Sequence, residues 1–183
     1  MEPPATAKFS PFPRLFSLSA EWYNRRVNAA ESVPLCHEWR RDSYLISTDP
    51  QKLDFGVIRE FLARSYWSPG IPRETVERGA KNSLCFGVYE EGRQVGFARA
   101  ITDRATFAYL ADVFILEAYR GRGLSKWLME CVKAHPELRG LRRWMLATKD
   151  AHALYAKFGF APLTDMVKYM AINDPDVYRR SIP

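Results

Sequence analysis

From Tyr44 onward the apolar positions fall into short alternating runs and longer helical ones, whereas the residues before it sustain neither period. YLIST (44–48) alternates as a strand. DPQKLDFGVIREFLARS (49–65) sets Leu53, Val57, Ile58, Phe61 and Leu62 at helical spacing behind a capping Asp49. The stretch SYWSPGIP breaks that helix, and Pro72 opens a second one, RETVERGAKN. LCFGVYEEGRQVGFARAI reads as two strands about a Glu-Glu-Gly-Arg turn, and FAYLADVFIL as a third. A helix from Leu124 to Ala134 carries Leu124, Trp127, Leu128, Cys131 and Val132 on one face. RRWMLAT is another strand, DAHALYAKF a short helix closed by Gly159, and a last strand region ends in VKYMAI.

The expected order is therefore β, α, α, β, β, β, α, β, α, β, with no internal repeat. Mixed strands with helices packed on the sheet predict one α/β domain over residues 44–172. Residues 1–43 hold five of the twelve prolines and read as a loosely ordered arm, and residues 173–183 as a tail. A chain of 183 residues suits a single core.

Composition narrows the class. A hydrophobic share of 47% with 14% aromatics belongs to a chain that folds. The apolar runs are too short for a bilayer, and the longest is interrupted by Asp112, so no membrane insertion is expected. Cys36, Cys85 and Cys131 form no CxxC pattern, which fits a reducing, cytoplasmic setting. His37, His135 and His152 lack metal-ligand spacing, so no metal is expected. The net charge of +6 points to an anionic partner: nucleic acid, a membrane surface or a phosphorylated small molecule.

YRGRGLSKW (119–127) gives that charge a place. A strand feeding a helix through glycines leaves the first helical N–H groups unpaired, with the positive end of the helix dipole behind them. Gly121 and Gly123 allow the turn and close approach, while Arg120, Arg122 and Lys126 add charge. The arrangement suits a pyrophosphate, although it is neither a Walker loop nor a GxGxxG fingerprint.

The segment VFILEAYRGRGLSKWLM resembles the acyl-CoA-binding signature of the GNAT family of N-acetyltransferases, a strand leading into [RQ]xxGx[GA] and a helix. Ser125 stands where that family prefers Gly or Ala. LYAKFGF (154–160) is similar to the family's LYxxxGF ending, although TKDAH replaces the asparagine often found ahead of it. The resemblance covers about 130 residues. It implies a mixed, mostly antiparallel sheet with helices on both faces, and transfer of an acetyl or other acyl group from acetyl-CoA to a primary amine in a ternary complex. It also implies cofactor binding by Arg120, Gly121, Arg122, Gly123, Leu124 and Ser125, and by a backbone bulge around Val113, Phe114 and Ile115.

The same resemblance gives Tyr155 the role of acid or hydrogen-bond donor to the CoA sulfur, where helical spacing alone makes it a core residue. It puts Tyr66 and Trp67 at the acceptor, where they could equally anchor their loop. Asp112, an acidic residue in an apolar strand, is either a general base or a structural carboxylate satisfied by an arginine or a backbone amide. Glu117 is a weaker candidate. The expected partner is a small-molecule or peptide amine, with a homodimer left open. The rival readings are a CoA-binding protein without turnover and a basic nucleic-acid-associated module.

Overall fold

Strand formation begins earlier than the sequence pattern suggests. In a computed structural model, which describes residues 36–180, β1 (Glu38–Arg41) pairs antiparallel with β2 (Tyr44–Ser47) around Asp42, whose φ is 53°. Glu38 and Arg40 face solvent while Trp39 and Arg41 are half-buried. The domain edge expected at residue 44 thus gains a strand, and most of the expected arm lies outside the described residues. Asp49 caps only a 3-10 turn, Pro50–Lys52. Asp54 caps the helix proper, α1 (Phe55–Arg64), its Oδ1 accepting from the amides of Gly56 at 2.8 Å and Val57 at 3.1 Å.

The remaining elements follow the expected order. They are α2 (Arg73–Lys81), β3 (Leu84–Glu90), β4 (Arg93–Thr102), β5 (Phe107–Ile115), α3 (Leu124–Ala134), β6 (Arg143–Met145) and α4 (His152–Ala156). The six strands lie in the spatial order β1-β2-β3-β4-β5-β6. All pairs are antiparallel except β5 with β6. The expected final strand at VKYMAI is absent: only a 3-10 turn forms there, at Met166–Lys168, and Met170 and Ile172 are exposed. A strand needs an edge to pair with, and β6 offers three residues.

Residues 85–89 of β3 and 94–98 of β4 are buried because both faces of the sheet are covered. On one face α3 contributes Leu124, Trp127, Leu128, Met129, Cys131 and Val132, and α4 contributes Tyr155. On the other, Ile58 and Leu62 of α1 and Val76 and Ala80 of α2 pack on Cys85, Phe97 and Phe114. This is the mixed, mostly antiparallel α/β sheet with two helical layers that the sequence predicts.

Candidate active site

β5 is where the sheet's regularity fails twice. First, Asp112 adopts φ 55° and the register against β4 slips, from Arg99↔Ala111 to Phe97↔Phe114. Two residues, Asp112 and Val113, thereby stand opposite Ala98, which is a β-bulge. Second, β5 pairs with β6 only over residues 107–109. Beyond Tyr109 the two parallel strands separate, so the edge of β5 from Leu110 to Ile115 has no neighbouring strand among the described residues.

The glycine loop closes one end of this opening. Gly121 and Gly123 take φ values of 79° and 75°, the left-handed region. Gly123 caps α3 without any side-chain hydrogen bond, and the first amide of this turn to find a backbone partner is that of Trp127, bonded to the Gly123 carbonyl at 3.1 Å. Among the described residues the amides of Leu124, Ser125 and Lys126 have no partner, and they lie at the positive end of the helix. The side chain of Leu124 is buried in the core, so only its backbone belongs to the turn.

The loop's arginines are committed elsewhere. Arg122 donates to Tyr44 Oη at 2.7 Å and the Ala118 carbonyl at 3.1 Å, lies 3.4 Å from Glu90 and stacks over Tyr119. Arg120 donates to the Ile115 carbonyl at 3.2 Å and faces Glu117, and Lys126 faces Glu130. These contacts weaken the case for a free basic surface. A cation that the sequence pattern did not single out stands closer to the turn. Arg41 of β1 lies over Trp127, 4.6 Å from the ring centroid, and its Nη2 is 4.0 Å from where a Cβ on Gly123 would sit.

The loop between α1 and α2 joins the bulge to the segment after β6. Trp67 Nε1 donates to Asp112 Oδ1 at 3.2 Å, and the Lys149 amide donates to Tyr66 Oη at 2.8 Å. Both rings are substantially exposed and meet edge to face, 4.9 Å apart. Asp112 Oδ2 accepts from Arg99 Nε, whose Nη1 donates to Ser83 Oγ at 3.2 Å. Both carboxylate oxygens therefore have partners, one of them an arginine. Neither Trp67, 45 residues away, nor Arg99, 13 away, leaves a local pattern from which this pairing could be read.

Tyr155 sits on α4 at 8% exposure, packed edge to face on Phe160. Its hydroxyl makes no hydrogen bond among the described residues, and burial first, then the proximity of Tyr66 and Asp150, pushes its pKa up to about 12. The phenol is thus a proton carrier at neutral pH and a potential donor with its bond unspent. The bulge, Trp67, Tyr66 and Tyr155 are brought to one region. Glu117, its side chain 85% exposed, serves Arg120. Among the described residues no group of three or more His, Cys, Asp or Glu could hold a metal ion, and no helix is long and apolar enough to cross a membrane.

Known proteins resemble this chain in sequence and in fold. The acetyltransferase (GNAT) family model matches residues 34–160. The Gibberella zeae protein FG08082, provisionally named an acetyltransferase, is 34% identical over 142 residues, covering 65% of this chain and 79% of its own. A Xanthomonas campestris crystal structure, provisionally assigned to the GNAT family, is 48% identical with a TM-score of 0.74, covering 77% of this chain and 100% of that one. A Clostridium acetobutylicum structure, provisionally named an acetyltransferase and described with acetyl-CoA, shares the fold at 12% identity and a TM-score of 0.50. It covers 76% of this chain and 96% of that one.

Proposed function

The chain belongs to the acetyltransferase (GNAT) family, and from that premise we propose that it transfers an acetyl group from acetyl-CoA to a primary amine by direct attack in a ternary complex. The observation that carries the reading is the parting of β5 from β6 beside the Asp112 bulge, with unpaired helix amides at one end and the Tyr155 hydroxyl nearby. A free strand edge can hydrogen-bond an extended amide-bearing chain as a further strand would. Pantetheine is such a chain, and Val113, Phe114 and Ile115 supply the edge.

The glycine turn fits a pyrophosphate on its own geometry. A Cβ built on Gly121 would meet nothing within 4 Å, so the backbone there is approachable, and the amides of Leu124, Ser125 and Lys126 are unspent. Arg41 adds a cation beside the turn, while Arg120 and Arg122 mainly brace the loop. Acetyl-CoA, when bound, supplies an activated acyl carbon and a thiolate leaving group.

The chain's residues then have four tasks. A backbone amide at the bulge donates to the oxygen on which charge develops as the amine nitrogen bonds to carbon. The Tyr155 hydroxyl donates to the sulfur as the carbon–sulfur bond breaks. Tyr66 and Trp67 wall the approach of the amine, whose surplus proton leaves to water. Asp112, with both oxygens engaged, positions Trp67 and Arg99.

Thermal denaturation with acetyl-CoA tests the reading. A ligand bound only by the folded state at about one hundred times its Kd stabilises it by about 2.7 kcal/mol. For a chain of this length that raises Tm by about 5–10 °C. No shift at millimolar acetyl-CoA overturns the assignment, and release of free thiol with an amine present separates turnover from binding alone.

A further inference from the structure

On the face covered by α1 and α2 lies a cavity of about 270 Å³ that shares Asp112 with the bulge. That volume lies just under the range of pockets for drug-sized ligands, so it suits a small molecule. Leu62, Val76 and Phe97 give it apolar walls, and its charged groups are Arg78, Arg99 and Asp112. The carboxylate is spent, one oxygen on Arg99 and the other on Trp67. The side chain of Arg78 has neither an ion pair nor a hydrogen bond among the described residues. Two guanidinium groups against one carboxylate leave the lining at +1, with the unbalanced charge at Arg78.

Resting on the reading of this protein as an amine acyltransferase, we propose that the cavity takes the acceptor and that the acceptor is a small amine carrying an anionic group, a carboxylate or a phosphate, directed at Arg99 and Arg78. The charge acts on both ends of such a molecule. It attracts the anionic end. It also disfavours the ammonium form of the amine, lowering its pKa toward the neutral state that attacks a thioester. A polyamine would bring a second cation into a lining that has no free carboxylate to receive it.

The test is a set of amines of similar size at fixed ionic strength: β-alanine, O-phosphoethanolamine, ethanolamine and 1,3-diaminopropane, each followed by thiol release from acetyl-CoA. At least one of the two anionic amines should exceed both others in kcat/KM by about tenfold or more, and their ratio tells carboxylate from phosphate. Arg78→Glu, a change at an exposed side chain with no bond to lose, should cut that preference by about tenfold while leaving the acetyl-CoA shift in Tm intact. Faster turnover of 1,3-diaminopropane, or an unchanged preference in Arg78→Glu, refutes the proposal. So does a wild-type protein that is stabilised by acetyl-CoA yet turns over neither anionic amine. Absence of stabilisation by acetyl-CoA instead removes the acyltransferase reading beneath it.

Discussion

Tyr155→Phe removes one hydroxyl and keeps the ring that α4 buries against Phe160 and the α3 layer. Because the hydroxyl makes no hydrogen bond among the described residues, its loss breaks no bond, and stability should stay within about 0.5 kcal/mol of wild type. The kinetic consequence depends on how far the proton travels. An ordinary thiol ionises near pH ~8.5, whereas burial holds the phenol at about 12. Complete transfer to a free thiolate would therefore run uphill by about three units, or about 4–5 kcal/mol. A hydrogen bond that strengthens as charge gathers on sulfur has no such cost and is typically worth about 10²–10³ in kcat. Tyr155→Phe should then lower kcat by about that factor, at the gentle end of the range for general acids, with the acetyl-CoA Kd unchanged. Thiol release at saturating acetyl-CoA, paired with melting curves, measures both. A kcat within threefold of wild type returns Tyr155 to a packing role. A fall in stability beyond about 2 kcal/mol shows instead that the hydroxyl holds the fold.

Two further predictions probe the turn and the core. Gly123→Ala places a Cβ at φ 75°, within ordinary contact distance of Arg41 Nη2 but on a strained backbone; it should cost about 1–2 kcal/mol of stability and abolish most of the acetyl-CoA shift, and wild-type affinity would refute the loop assignment. Alkaline pH should destabilise the fold, because burial raises Cys85 and Cys131 from 9.0 to about 12 and Tyr155 from 10.0 to about 12. The unfolded chain then loses these protons first, so stability falls as pH rises above 9, by about 1.4 kcal/mol per unit for each thiol, and Tyr155 joins above 10. Urea titrations under reducing conditions at pH 8 and 10.5 measure this, and equal midpoints would contradict it.

Features set by neighbouring residues were legible in the chain. The start of α3 after Gly123 needs only two glycines and an apolar stripe, and both hairpin strands, β3 and β4, needed only alternation and a turn. Features set by distant partners were not. β1 reads as charged because an edge strand turns Glu38 and Arg40 to water, and the same pattern hides its half-buried Arg41 beside the glycine turn. VKYMAI has the composition of a strand, yet whether it pairs depends on the length of β6, which its own residues do not encode.

The bulge shows most clearly how one residue connects sequence, fold and site. Strict alternation from Leu110 would send residue 112 and Phe114 into the α3 layer, and Val113 and Ile115 into the α1–α2 layer. The structure reverses each assignment: Leu110, Val113 and Ile115 share the α3 side, while Phe114 packs with Phe97 and Leu62. Positive φ at Asp112 is what absorbs the extra residue. The sequence did carry a mark of it, a carboxylate in the middle of an apolar run. With regular alternation, that carboxylate would point into the α3 layer, whose buried members are almost all apolar. The bulge instead turns it to the cavity side, where Arg99 and Trp67 satisfy it. The same local twist breaks the ladder beside the stretch of β5 that β6 has left. The residue that reads in the sequence as a candidate base thus bends the strand through its backbone and holds Arg99 through its side chain.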